Sequence, residues 1–553
     1  MRKKILAVLL GMTVLGVVAG CSNADKETET KAKETPVDGT EEVAGEGYTY
    51  GVGETFYSET PVNYSFMYSD HENYPSQDDW LLWTQIEKLT NVKFDMTLVA
   101  RTDYDDKVSA LVNAGDAPYI IPKVYIEGPY VSGGQVVAIS DWVEYMPNYM
   151  KTIEDWGLED DLKGMLQDDG KYYRLPHMWE KAAGGYSLII RKDIFEAAGI
   201  NVEEAEKTWT WETFAEDLKK VKEYTGADYV WSDQYQGDCS TNFASAVYDA
   251  RAGWGIANGT MFDFDKEEFF FTNTTDSYRD FLRVFNKMYT DGIIDPETFT
   301  QDSETAQSKF FRGESLVIEA NYQQLADMIG NNKVQVEEAE LYMIIPPGGP
   351  AGQLQIESAR IESGIMITQN ALDELGEEEF IKMLRFVDWL WYSPEGQMLS
   401  LWGVEGETYD LVDGKPVLHE DIFYNGMNPG APKQLNVDYG FGGGVFAIGG
   451  SVDLRFSKFT EGETDYNERV YANKTPRRLE PPIMSNELEG EELNLIQTPL
   501  MDYVKTSALE FITGNKDIEA DWDEYVAQCE SKRSSDYVKL VNEIYERTAD
   551  ILK

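Results

Sequence analysis

Strand-like and helix-like patterns alternate along this 553-residue chain, and that alternation restricts the fold more than any single motif does. The run VNYSFMY at 62–68 alternates polar and apolar side chains as a strand does. After the loop SDHENYPSQDD comes WLLWTQIEKLTN, where Leu82, Trp83, Ile86 and Leu89 recur at helical spacing and Asn91 stands where a left-handed cap is wanted. A second strand is predicted over 92–98. A helix follows with Tyr104, Val108, Leu111 and Val112 on one face, ended by Gly115, and APYII restarts a strand. Strands alternating with helices predict α/β domains built on a largely parallel sheet. Further on, Thr210 caps a helix with Glu212 in its first turn, an apolar face of Trp211, Phe214, Leu218 and Val221, and a stop at Gly226. Phe380, Met383, Leu384, Val387, Leu390 and Trp391 form another stripe, which ends before Pro394, and Tyr537, Leu540, Val541 and Ile544 a third; these read as core.

Charge and composition narrow the function classes. The chain carries 48 basic and 99 acidic side chains, a net charge of −51, which repels phosphate backbones and anionic lipid and so argues against nucleic-acid binding. Its 33 Tyr and 13 Trp exceed what an acidic disordered chain would hold, and its length suits two or more lobes. Cys239 and Cys529 lie far apart in sequence, so one bridge and two separate thiols both fit. His71, His177 and His419 form no HExxH pattern and there is no CxxC, which disfavours a zinc enzyme. No GxSxG elbow is present. GFGGGVFAIGGS at 440–451 has Gly450 where a phosphate loop has Lys, and reads as turns between strands. DFDKEE places Glu268 where a calcium loop needs Gly, so no metal and no cofactor are expected. Ninety-nine acids guarantee chance carboxylate pairs, so the sequence carries no specific signature of a hydrolytic pair.

The N-terminus has Arg2, Lys3 and Lys4 before an apolar stretch at 5–19 that is short for a bilayer span. Val18, Ala19, Gly20 and Cys21 resemble the lipobox of bacterial lipoproteins. The resemblance implies a signal peptide at 1–20 and a lipid-bearing Cys21 at the new N-terminus. Residues 21–47, polar and without an aromatic, read as a flexible tether. Each buried methylene contributes about 0.8 kcal/mol, so two acyl chains make such an anchor durable. An ordinary signal peptide with a chance cysteine and an uncleaved anchor are the alternatives.

The pieces DGKYYRLP, LIIRKDIFEAAGI with TWTWETF, MYTDGIIDPETF, FFRGESLVIE, RFVDWLWYSPEGQMLSLWGVEGETYDL and ALEFITGNKDIEADWDEYV occur in that order. Together they resemble the extracellular solute-binding lipoproteins of ABC importers, the large sugar-binding group of Gram-positive bacteria, over about residues 60–553. The resemblance implies a periplasmic-binding-protein-like type II fold: two α/β lobes, a ligand cleft between them, closure by hinge bending and docking on a membrane permease. The lobes are placed at 48–188 plus about 318–368 and at 189–317 plus about 369–553, with crossings near 185–190, 313–321 and 360–370. Some relatives carry a calcium loop; EYTGADYVWSDQ at the matching position lacks its run of Asp, Asn and Gly.

The implied protein is a monomer held by lipid on the extracellular face of the cell membrane. It would capture an oligosaccharide and pass it to an ABC transporter permease, catalysing nothing. A surface-anchored glycan-degrading enzyme is the rival reading, and the absence of internal repeats disfavours an adhesive protein. Aromatic rings stack on the CH faces of sugar rings while polar side chains take the hydroxyls. Candidates in loops and crossings are His71, Tyr74, Tyr119, His177, Trp179, Trp231, Trp254, Tyr322 and Trp402. For each, a packed ring is the plain alternative. Tyr119 stands where relatives often have Asp, which suggests a stacking platform in place of a hydroxyl acceptor. Trp209, Trp211, Trp389 and Trp391 are assigned to packing.

Overall fold

The computed structural model describes residues 50–552 apart from 72, 331–334 and 337. The expected leader, Cys21 and the tether lie outside the described residues. The chain runs through β1 (Val62–Asp70), β2 (Val92–Ala100), β3 (Ile120–Val124) and β4 (Leu175–Met178), then β5 (Tyr186–Arg191), β6 (Val317–Asn321) and β7 (Leu341–Ile344), and returns with β8 (Ile361–Ile367). Two sheets result. The first has the order β2-β1-β3-β8-β4, with β1 parallel to β2 and β3, and β8 antiparallel to β3 and β4. The second has the order β6-β5-β7, antiparallel throughout. The expected parallel pattern therefore holds for β1 to β3 only. β8 begins at the end of the first sheet where β1 and β3 finish, because the chain returns from the second lobe there, and so it must run against them.

Local signals in the sequence account for the helices. The helix Leu81–Thr90 buries Leu82 and Ile86, and Asn91 closes it at φ 58° with its amide on the Glu87 carbonyl. Tyr104–Ala114 buries Tyr104, Val108 and Val112 and stops at Gly115, φ 76°. Trp211–Thr225 starts on Thr210, whose hydroxyl accepts from the Thr213 amide, and buries Trp211, Phe214, Leu218 and Val221 in the second-lobe core. Cys239 and Cys529 lie buried in that same core as separate free thiols.

The lobe boundaries differ from expectation. Val317–Asn321 and Leu341–Ile344 stay with the second lobe, because they flank β5 on either side. Conversely, the helix Gln369–Tyr392 packs on the first lobe: the Phe386 ring lies 5.7 Å from Phe56, Tyr64 and Phe94 alike. The first lobe thus comprises about 50–178 and 361–446, and the second about 186–355 and 459–552. Apolar periodicity predicts the helical stripe from Phe380 to Trp391 but does not say which lobe it packs on.

Three segments connect the lobes, at about 178–186, 355–361 and 446–460. They lie side by side: the Trp179 amide donates to the Arg360 carbonyl at 2.8 Å, Gly450 N–H to Met178 O at 2.8 Å, and Glu180 N–H to Gly450 O at 3.3 Å. The first and last expected crossings fall close to two of these, but 313–321 lies inside the second lobe. The segment through the glycine-rich run takes its place.

One buried carboxylate ties the first lobe together. Asp388 accepts from the Tyr149 amide at 2.8 Å, the Asn148 amide at 3.1 Å, the Asn148 side chain at 2.7 Å and the Tyr50 hydroxyl at 2.8 Å. The two amides belong to the first turn of the helix Pro147–Trp156, where backbone donors have no partner inside the helix. Asp388→Ala is expected to lower stability by about 2–4 kcal/mol, read from denaturant midpoints, because several buried donors lose their acceptor at once. A loss below about 1 kcal/mol would show that water replaces the carboxylate.

Candidate functional site in the interlobe cleft

The cleft is the space where the crossings leave both sheets. Tyr186 opens β5 directly after the first crossing and pairs with Asn321 at the end of β6. Gly185 makes this approach possible: it sits at φ 70°, and a Cβ there would lie 2.5 Å from a Glu357 carboxylate oxygen. The Tyr186 ring meets Trp254 edge-on at 5.2 Å, and Trp254 meets Tyr235 at 4.8 Å. Tyr186 and Tyr235 themselves lie 5.8 Å apart. Trp254 is 46% exposed, so the cluster is an aromatic platform with an open face. Its polar rim is set by the Tyr235 hydroxyl donating to Gln324 Oε1 at 3.0 Å, an oxygen that also accepts the Asn321 amide.

Behind the platform the support is rigid. Buried Glu319 accepts from Trp231 Nε1 at 2.5 Å and from the Gln234 amide at 3.2 Å. Burial, with Asp233 beside it, pushes its carboxyl well above the ordinary glutamate range. Asp233 in turn accepts the Tyr235 amide at 2.6 Å and the Ser240 hydroxyl at 2.7 Å.

The first-lobe wall holds His71 and Tyr74, stacked at 4.9 Å just beyond β1, and Trp179 just beyond β4. Trp179 donates through Nε1 to Glu362 at 3.2 Å and carries the Arg455 guanidinium over its face at 4.1 Å. Tyr322 follows β6 and contacts the Phe459 ring at 5.0 Å. The glycine-rich run forms part of this wall: a Cβ on Gly444 would come within 2.9 Å of the Tyr74 hydroxyl, so a larger residue there would push that ring tip aside.

Of the nine expected contact residues, His71, Tyr74, Trp179, Trp254 and Tyr322 lie at this end of the sheets. Four do not present a free ring there. Trp231 is buried, bonded to Glu319 and stacked on Trp211 at 6.1 Å. Trp402 is buried with its Nε1 on Ser457 Oγ at 2.9 Å. His177 is buried inside β4, where desolvation pushes its pKa down to about 3. Tyr119 stands at the start of β3, the far end from the cleft, with its hydroxyl on Glu374 at 2.6 Å. Sequence reasoning missed Tyr186, Tyr235 and Arg455. The crossing expected near 185–190 gives the boundary but not which ring faces the opening.

A second opening, a groove of about 1150 Å³, lies between the helix Pro147–Trp156, the hairpin around Gly414 and the segment near Phe456. It includes none of the platform rings. Among the described residues no helix is long and apolar enough to cross a membrane.

A two-lobe α/β molecule with an aromatic cleft at its strand crossings is the architecture of a solute-binding protein. The sequence matches the family model for bacterial extracellular solute-binding proteins over residues 82–383, and the chain belongs to that family. It is 24% identical to lipoprotein LipO of Bacillus subtilis over 351 residues, 60% of this chain and 64% of that protein, so the match spans just under two thirds of LipO. It is 22% identical to the fructooligosaccharide ABC transporter substrate-binding protein FusA of Streptococcus pneumoniae, over 90% of this chain and 92% of FusA. In fold it is similar to an HMO-binding, ABC-transporter-associated solute-binding protein from Bifidobacterium longum infantis, with a TM-score of 0.63, 15% identity, and coverage of 89% of this chain and 99% of that one.

Proposed function

We propose that this chain is the substrate-binding component of an ABC importer, that it captures an oligosaccharide between its lobes, and that lipid on Cys21 holds it outside the membrane. The observation that carries the ligand class is the Tyr186–Tyr235–Trp254 platform, a set of rings with an exposed face beside amide and hydroxyl groups. That combination fits a sugar, which offers an apolar face and a rim of hydroxyls. FusA, which aligns along nearly the whole chain, is by name a fructooligosaccharide-binding protein, and this supports the same class of ligand here. Binding without turnover suits a family of binding proteins, and the acidic surface suits a ligand other than nucleic acid.

A thermal-shift screen over oligosaccharides tests the reading, since a ligand at a hundred times its Kd stabilises the native state by about 2.7 kcal/mol. The expected result is a rise in Tm with at least one glycan, which is recovered intact after prolonged incubation. A response to peptides alone would overturn the ligand class, and cleavage of the glycan would favour the enzyme reading. Labelling with radioactive palmitate, lost in Cys21→Ala, tests the anchor.

A further inference from the structure

Two lysines of the cleft wall, one on each side of the glycine-rich segment, have no hydrogen bond or ion pair at Nζ among the described residues. Lys123 occupies β3 at φ 60°, a left-handed conformation that glycine takes freely and other residues take at a cost. Its Nζ lies 3.2 Å from the point where a Cβ on Gly444 would sit, and the Tyr74 hydroxyl lies 2.9 Å from that same point. Lys458 ends the helix Val452–Ser457 and, with Arg455 and Trp179, lines a recess of about 10 Å³ against Phe446 and Gly449. Among the described residues neither Nζ makes a hydrogen bond or an ion pair. In a chain with 99 acidic and 48 basic side chains, a counter-ion for a half-buried ammonium is not scarce.

Two acids lie close by, Glu362 beside both lysines and Glu463 beside Lys458; neither makes an ion pair with them, their hydrogen bonds come from neutral donors, and the buried Glu463 Oε1 takes none. Glu362 accepts from Trp179 Nε1, and Glu463 caps its own helix by accepting the Thr460 amide at 2.7 Å and hydroxyl at 2.8 Å. Arg101, which also faces Lys123, is paired with Asp105 at 3.3 Å. Burial depresses the pKa of both lysines, Lys458 to about 8, with Arg455 adding to the effect there and Arg101 at Lys123. A strained backbone that holds an unpaired ammonium at a cleft wall is a cost to the empty protein, and a ligand anion would offset it.

We propose that Lys123 and Lys458, beside the glycine-rich segment 440–450, form an acid-recognition subsite, so that the captured oligosaccharide carries a carboxylate or sulfate group. This rests on the oligosaccharide reading above and names its chemical class. It also differs from the neutral ligand that the bulk acidity of the chain suggests, because local unpaired cations decide recognition at contact distance, where the diffuse surface charge is screened over about 10 Å.

The test uses the full chain on an array of neutral, uronate-bearing, sialylated and sulfated oligosaccharides, followed by calorimetry on the tightest binder and its carboxyl-reduced or desulfated counterpart. The expected result is an acidic tightest binder, whose neutral counterpart binds roughly tenfold weaker or more. Lys123→Gln and Lys458→Gln should each shrink that ratio. Lys123→Gly should raise Tm, because glycine fits φ 60°, while losing the acid preference, which separates recognition from folding. A neutral tightest binder would overturn the subsite while leaving the oligosaccharide reading intact. An acid preference unchanged in both glutamine variants would do the same. Binding of no glycan at all would overturn both. A Tm rise with acetate or sulfate alone, equal to that with the acidic glycan, would overturn the sugar-borne anion in favour of a free one.

Discussion

Trp254→Ala is expected to weaken oligosaccharide binding ten- to a hundredfold, about 1.4–2.8 kcal/mol, with little change in Tm. The asymmetry follows from its position. The ring is 46% exposed, so folding gains little from it, but it touches both Tyr186 and Tyr235 and completes the open face on which a sugar ring would lie. Tyr235→Phe should cost much less, since the ring stays and only the hydroxyl on Gln324 is lost. Titration calorimetry with the best glycan from the screen measures both. Equal affinity of Trp254→Ala and the parent chain would remove the platform from the binding site.

The second large effect concerns stability. Glu319→Ala should cost about 3 kcal/mol, because it leaves Trp231 Nε1 and the Gln234 amide without an acceptor and opens a hole beneath the platform. Glu319→Gln keeps an acceptor for Trp231 and should stay within about 1 kcal/mol. The pH dependence has a defined sign. Folding holds the Glu319 carboxyl well above its ordinary value of 4.5, so the native state binds more protons than the unfolded chain above that value. This group's contribution is therefore fully present in acid and declines as pH rises above about 4.5, and the glutamine variant should lose that decline. Chemical denaturation at several pH values measures it. A Glu319→Gln variant with an unchanged pH slope would place the proton elsewhere in the Glu319–Asp233 pair.

What the sequence made legible follows from the range over which each signal acts. Asn91, Gly115, Thr210 and Gly226 end or begin helices through bonds a few residues long, and all four do so in the structure. Apolar stripes such as Phe380 to Trp391 are buried because periodicity reports a face directly. Sheet membership is a long-range choice, which is why 318–321 and 369–392 lie in lobes other than those expected. The aromatic candidates divided on the same ground. Trp231 and Trp402 stand near the ends of elements much as Trp254 does, but their indole N–H groups donate to Glu319 and Ser457 inside the protein, and only the packed fold reveals which indole is left at the surface. The unpaired lysines left no mark at all in the sequence, since an unpaired charge is defined by what surrounds it in space.

The three crossings carry a mechanical consequence. Because the Trp179, Arg360 and Gly450 backbones are hydrogen-bonded edge to edge, the linkage has the form of a flat ribbon instead of a cord. A ribbon bends easily across its thin dimension and resists twisting and in-plane shear, so relative motion of the lobes is reduced to nearly one degree of freedom, as in a leaf hinge. On such a path the Trp254 platform and the Tyr74 wall are expected to approach each other along one track. The expected consequence is that a ligand that closes the lobes selects whether the chamber forms, while its shape is set by the ribbon.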